Sequence, residues 1–316
     1  MSEHADKKVE YGIFPPLPGS RPTGLKSSRA AVTGICIVLF WINIAIWAPF
    51  LTTHDPITQY PFGITSNGLP LSPSAVFLFG TDSLGRDVFS RVIYGARVSL
   101  IISFMATLAA ALTGMGIGVL SGYYGGWVDF LFMRLTDTVL AFPLVLLAIA
   151  VVSAIGSSLV LLVALIGLGT FPPIARLVRG QVHAVKVQEF VEAARALGAS
   201  GPWIIVKHII PNIIAPVAIF AVLGMSGIIL LEASLSFLGV GVQPPTPSWG
   251  NMIFDGYKYY QAAPWLVLFP GIAIISLAIG FVLLGEGLRD ILDPRKGYFY
   301  TSLKTREPIK LKGFLT

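Results

Sequence analysis

The chain has 316 residues, of which 54% are hydrophobic and only 12% charged, and its mean hydropathy is +0.77. That charged share is about half that of a soluble domain, and apolar runs of about twenty residues recur, so the composition excludes a water-soluble fold and points to a polytopic membrane protein. The formal charge of +6 does not argue for nucleic-acid binding, because the basic residues cluster beside apolar runs, where they set topology.

Residues 1–29 are polar and proline-rich (FPPLPGSRP) and are expected to lack a fixed fold. The first span is Ala30–Leu51, too long for a cleaved signal peptide and therefore a retained anchor. It holds Cys36, the single cysteine, so no intrachain disulfide can form. With its outer loop it makes a unit over 30–97. Within that loop, GTDSLGRDVFSRVIYGARVSL (Gly80–Leu100) predicts a short helix capped by Asp82 or Ser83. Val88, Phe89, Val92 and Ile93 would lie on the membrane while Arg91 faces water.

The core membrane domain is expected over 98–292. Its first element, the second span Val98–Ser121, leads into a stripe of small residues: Ala106, Ala110, Gly114, Gly118 and Gly122. Such a stripe admits a close neighbour, most simply a helix of the same chain. The third span is expected over 130–155 and the fourth over 157–177. Several spans hold proline (Pro143, Pro172, Pro173, Pro216, Pro270), which membrane helices tolerate where neighbours satisfy the freed carbonyls.

Between the fourth and fifth spans runs RLVRGQVHAVKVQEFVEAARALGASGPWIIVKHIIPN. Burying its charges at mid-membrane would cost on the order of 20 kcal/mol, so it must sit in water. It is nevertheless built to fold over 188–211. Phe190, Ala194 and Leu197 share one helical face, and Glu192 can pair with Arg195. Gly198 suits the left-handed residue that ends a helix, and Pro202 suits the first turn of the next. That second helix, Trp203 to Ile210, would stop ahead of Pro211. His183 and His208 have no Cys, Asp or Glu at ligand spacing, so no metal site is expected.

The fifth span is expected over 213–231 and the sixth over 264–285. Between them lies a proline-stiffened loop, GVGVQPPTPSWGNM (239–252), and beyond the sixth comes GLRDILDPR (287–295). The segment 293–316 is a basic tail whose lysines suit anionic lipid headgroups. Of the 22 Lys and Arg, only Arg86, Arg91, Arg97 and Lys258 fall outside when both termini are placed in the cytoplasm, as the positive-inside rule requires. Three acids lie close to spans: Asp137 with Arg134, Glu232 and Glu286. Two readings stay open for them, a role in a solute path, best for Glu232, and plain capping or snorkelling at an interface.

Glu192-Ala193-Ala194, three residues, then Gly198, and further on Pro211 resembles the EAA motif of binding-protein-dependent ABC importer permeases. The usual pattern has isoleucine and leucine where this chain has His208 and Ile210. GTD–GRDV–SR–YGAR, QPP-P-WG-M and GLRDILDPR resemble further blocks of the dipeptide/oligopeptide/nickel importers, whose C-type subunit the stretch from Leu25 to Arg295 is similar to. The resemblance implies a six-helix type I permease fold in the cytoplasmic (inner) membrane and no enzymatic activity. It also implies a coupling helix docked in a groove of an ATPase, which assigns that role to Phe190, Glu192, Ala193, Ala194, Arg195, Leu197, Gly198 and Pro211. The implied partners are a second homologous permease subunit, two cytoplasmic ATP-binding subunits, an extracytoplasmic substrate-binding protein and membrane lipids, with no nucleic acid. No cofactor would be bound by this chain: it contains no Gly-Lys dipeptide and so no G-x-x-x-x-G-K-[ST] loop, and ATP–Mg would be used by the partners. Dipeptides or oligopeptides are the expected cargo, with nickel chelates, opines or short sugars as alternatives. A self-sufficient secondary transporter would need matching halves, and none is found.

Overall fold

A computed structural model of the chain describes residues 29–292. The expectations for residues 1–28 and 293–316 lie outside the described residues. The described chain is all-α, with two isolated bridges (Ile64 with Pro70, Thr81 with Asp87) and no strand. In order come α1 (Arg29–Leu51), α2 (Val88–Tyr124), α3 (Gly126–Ala141), α4 (Leu144–Ile155), α5 (Leu159–Val185) and the short α6 (Glu189–Ala196) and α7 (Gly201–Ile204). They are followed by α8 (Ile210–Phe237), α9 (Trp249–Tyr257) and α10 (Trp265–Leu292). Helices α1, α2, α5, α8 and α10 are each long and apolar enough to cross a membrane alone.

The expected third span is instead two helices, α3 and α4, bent by 80°. The cause is Pro143, which has no N–H to donate and forces the residue before it out of helix; Phe142 is extended, with φ −94° and ψ 125°. The bent pair still carries the chain across. It leaves α2 beside the last turns of α5, where Lys186 Nζ donates to the Gly122 carbonyl at 2.7 Å. It rejoins α5 at the other end, where the Ser157 hydroxyl donates to the Gly241 carbonyl beyond α8. Counted as one span, the pair brings the described residues to as many as six passages. Arg29 and Leu292 come out at the end that carries α6 and α7, since a Cβ placed on Gly287 of α10 would fall 2.3 Å from the Ala31 Cα. That end is called the elbow end below, and the other, with residues 52–87 and α9, the loop end.

Helices overrun the apolar windows that announced them. α5 runs to Val185 rather than Leu177, and α8 from Ile210 to Phe237 rather than over 213–231. A hydrocarbon boundary ends a run of apolar side chains, but it does not interrupt backbone hydrogen bonds. α2 likewise begins at Val88, and its cap is Asp87, not Asp82 or Ser83. The Asp87 carboxylate accepts from the Ser90 N–H at 2.8 Å and the Ser90 hydroxyl at 2.6 Å. The surface helix expected over 88–93 is therefore the first turns of a packed one. Val88, Val92 and Ile93 are buried, and so is Arg91, which does not face water. Arg91 donates to the Pro56 carbonyl at 2.9 Å and lies 3.4 Å from Asp82, which in turn pairs with Arg86 at 2.6 Å.

The stripe on α2 faces α5, as expected for intramolecular packing. A Cβ on Gly118 would fall 2.6 Å from the Ala175 carbonyl oxygen, and one on Gly122 would fall 2.8 Å from the Val182 Cβ. Only glycine permits this approach. On the other flank, α1 and α8 enclose α10 around Trp41, Ile229, Trp249 and Phe281, with the two indoles edge-on at 5.0 Å. α9, read in the sequence only as part of a loop, starts with a capping box in which Ser248 and Asn251 bond each other's backbone N–H.

Candidate functional site

The charged stretch in mid-sequence folds as an elbow. α5 ends at Val185, and α6 starts after Gln188, whose extended backbone (φ −76°, ψ 147°) turns the chain. α6 then ends in a Schellman motif. The Ala199 N–H donates to the Ala194 carbonyl at 3.1 Å and the Gly198 N–H to the Arg195 carbonyl at 3.0 Å. Gly198 takes φ +85°, the left-handed conformation anticipated for it. α7 follows with Pro202 in its first turn.

Pro211 does not stop this second helix. α7 passes through a π turn, Ile205–Ile209, straight into α8. In an α-helix the Pro211 ring would press on the carbonyl of Lys207; the wider π turn just before it relieves that clash without a break. The elbow is therefore the direct extension of two membrane-crossing helices, α5 and α8.

The residue that α6 buries is Val191. Val191 is 0% exposed and packs with Val182, Ile204, Ile205 and Ile209, while Ala194 is half-buried. Phe190 and Leu197 point outward, 44% and 89% exposed. Glu192, Ala193 and Arg195 are exposed too, and no ion pair joins Glu192 to Arg195 among the described residues. The outer surface continues through rings: His208 lies 5.7 Å from Phe190 and 5.1 Å from Trp203. The elbow thus offers an apolar and aromatic rim around a polar patch.

A clamp absent from the sequence reading braces it. Arg179 on α5 makes a two-pronged pair with Asp129 on α3, at 2.6 and 2.5 Å, and the Ser121 hydroxyl also donates to Asp129. Lys186 adds its bond to Gly122. The elbow-end turns of α5 are thereby fastened to the α2–α3 corner. The opposite charges were visible in the sequence, but their partners lie 50 residues apart, beyond any local pattern.

Asp137 does not pair with Arg134. Its carboxylate accepts from Arg176 on α5 at 2.6 Å, while Arg134 lines the same open groove of about 670 Å³ between α3 and α5. Glu232 is 1% exposed, held inside by the hydroxyls of Ser99 (3.2 Å) and Ser236 (2.8 Å) at the loop end. Glu286 is exposed on α10. The structure therefore does not gather the three acids into one site. Outside the spans, Asp255 on α9 lies 3.6 Å from Arg86, yet burial pushes its carboxyl above the usual range. Asp55 behaves oppositely, since the N–H groups of Ile57 and Thr58 donate to it at 2.8 Å each and hold its carboxyl low. Among the described residues no group of three His, Cys, Asp or Glu could hold a metal ion.

Residues 114–298, which include the elbow, match the model of the binding-protein-dependent transport system inner membrane component. The chain belongs to that family. Residues 24–68 of the permease also match the N-terminal TM domain of oligopeptide transport permease C. It is 45% identical to the dipeptide transport system permease protein DppC of Alkalihalophilus pseudofirmus, over 86% of this chain and 88% of the relative. It is 40% identical to the glutathione transport system permease protein GsiD of Pectobacterium atrosepticum, over 84% and 87% of the two chains. To the GsiD of Escherichia coli it is 42% identical, over 85% and 88%. The resemblance carried by the EAA, GRDV and QPP stretches is thus shared along most of the permease.

Proposed function

We propose that this permease subunit forms one half of a peptide-importing path and is moved by separate ATPases through its elbow. The observation that carries the reading is the outward exposure of Phe190 and Leu197 on a helix otherwise pinned from below. Exposed apolar side chains such as these give a protein partner its anchors, and α6 alone is too short to be stable in water without packing. In this reading Glu192, Ala193, Ala194 and Arg195 form the patch an ATPase subunit grips, with Gly198 setting the angle. Pro211 marks where the elbow feeds α8. The elbow end, with both chain termini, is cytoplasmic, in line with the distribution of Lys and Arg.

Displacing α6 would move α5 and, through Arg179–Asp129 and Lys186–Gly122, the α2–α3 corner with it. A second permease subunit would close the path, two ATP-binding subunits using ATP–Mg would sit under the two elbows, and an external binding protein would deliver the solute. Peptides are the favoured cargo because the relatives are named for dipeptide and glutathione transport. The α3–α5 groove with Asp137, Arg134 and Arg176 suits them, since paired opposite charges can exchange partners with the two ends of a zwitterionic peptide. Glu232 enters this reading as a support behind the path rather than on its surface.

The test is a Leu197→Cys variant, with Cys36→Ser, crosslinked in membranes that hold the whole complex. An ATPase subunit should be captured from position 197 and not from a cysteine at exposed Leu112. An ATPase that co-purifies with the complex and is never captured would overturn the docking. Titrating the purified binding protein with dipeptides and glutathione decides the cargo.

A further inference from the structure

We propose that the groove between α1, α2, α8 and α10 is a binding site for one anionic phospholipid, with Arg97 holding the headgroup. The groove is open to the outside and has a volume of about 580 Å³, within the ~300–1,000 Å³ typical of ligand sites. Its floor is buried and apolar, formed by Ala45, Met225 and Phe281, and its walls by exposed Ile46, Ile101 and Phe104. Arg97 is the single charged residue of the lining.

Arg97 is the reason for naming a lipid. It is exposed, and it makes no ion pair or side-chain hydrogen bond among the described residues, whereas Arg86, Arg91, Arg176 and Arg179 all do. An unpaired arginine beside an apolar surface at membrane depth is costly and draws in an anion. Depth can be read from α2. The helix has 37 residues, so it is about 55 Å long against a hydrocarbon core of ~30 Å, and must project beyond it. Arg97 lies about 14 Å from the loop-end start of α2, at the level where that core begins, and the groove runs on from it toward mid-membrane. A phosphate would meet the guanidinium while an acyl chain followed the groove down past Ile101 and Phe104. With no acid in the lining, a headgroup without a compensating ammonium is favoured over a zwitterionic one.

The complex, with all its subunits, would be reconstituted in nanodiscs of zwitterionic phospholipid carrying a minor share of phosphatidylglycerol with a photoreactive diazirine in its acyl chain. Adducts are then mapped by peptide mass spectrometry. Adducts should concentrate on Ile46, Ile101 and Phe104 over Leu112, although Leu112 is the more exposed. Arg97→Gln should lower groove labelling about fivefold, the equivalent of ~1 kcal/mol for one cation at an anionic headgroup, while Leu112 labelling holds and Arg97→Lys retains most of the signal. The same diazirine on phosphatidylcholine should label groove and Leu112 alike. That swap needs no variant, so it decides the matter even where Arg97→Gln fails to assemble. Equal groove labelling by the two lipids would overturn the proposal. So would a groove that stays unlabelled while Leu112 reacts, which would mean that a partner subunit covers it. Neither result bears on the ATPase contact at the elbow.

Discussion

Replacing Gly198 tests the elbow most directly. Its φ of +85° lies in the left-handed region, where an L-residue with a Cβ costs ~1–2 kcal/mol. A Cβ built there would meet nothing within 4 Å, so the cost is purely conformational. Gly198→Ala and Gly198→Leu should therefore fail alike despite their different bulk, and Gly198→Asn should lose less, because asparagine tolerates this conformation. The ratio of formed to released elbow would fall about 5–30-fold. Two readouts follow. Hydrogen exchange at the Ala199 amide, which caps the Ala194 carbonyl, should accelerate by that factor. In reconstituted complexes, solute taken up per ATP hydrolysed should drop several-fold while the subunit remains inserted and assembled. Unchanged protection of Ala199 in Gly198→Ala would refute the conformational argument. Faster exchange with undiminished uptake per ATP would spare that argument and refute the role given to the elbow.

Three further outcomes follow from packing and charge. Gly118→Val should destabilise the purified protein by ~1–3 kcal/mol, because its Cβ would overlap the Ala175 carbonyl, whereas Gly116→Ala, with open space around it, should raise the thermal midpoint slightly. Burial raises the carboxyl of Asp255, so its ionisation is disfavoured in the fold. Stability from this group is present below the ordinary carboxylate range and is lost as the pH rises through the raised value, and Asp255→Asn should flatten that loss in thermal midpoints taken across pH. Asp55 has the opposite sign. Its low carboxyl stabilises the fold above the ordinary range and loses that effect as the pH falls, so Asp55→Asn should lower the midpoint at neutral pH and leave it unchanged in acid.

The apolar spans, the α2 stripe and the turn at Gly198 were legible in the sequence, because each follows from local chemistry. A run of apolar residues must cross lipid, small residues must meet a close neighbour, and a glycine with helix-ending context takes the left-handed state. Tertiary structure alone decided which surfaces look inward. Helical spacing grouped Phe190, Ala194 and Leu197 on one face, but spacing does not say whether a face meets the chain's own core or is left for a partner. On the elbow, Val191 took the core position and left Phe190 and Leu197 outside. The same limit hid the burial of Arg91 and the transfer of Asp137 from Arg134 to Arg176. Charge partners are chosen by helices that meet across the bundle, as α3 meets α5 at Asp137 and Arg176.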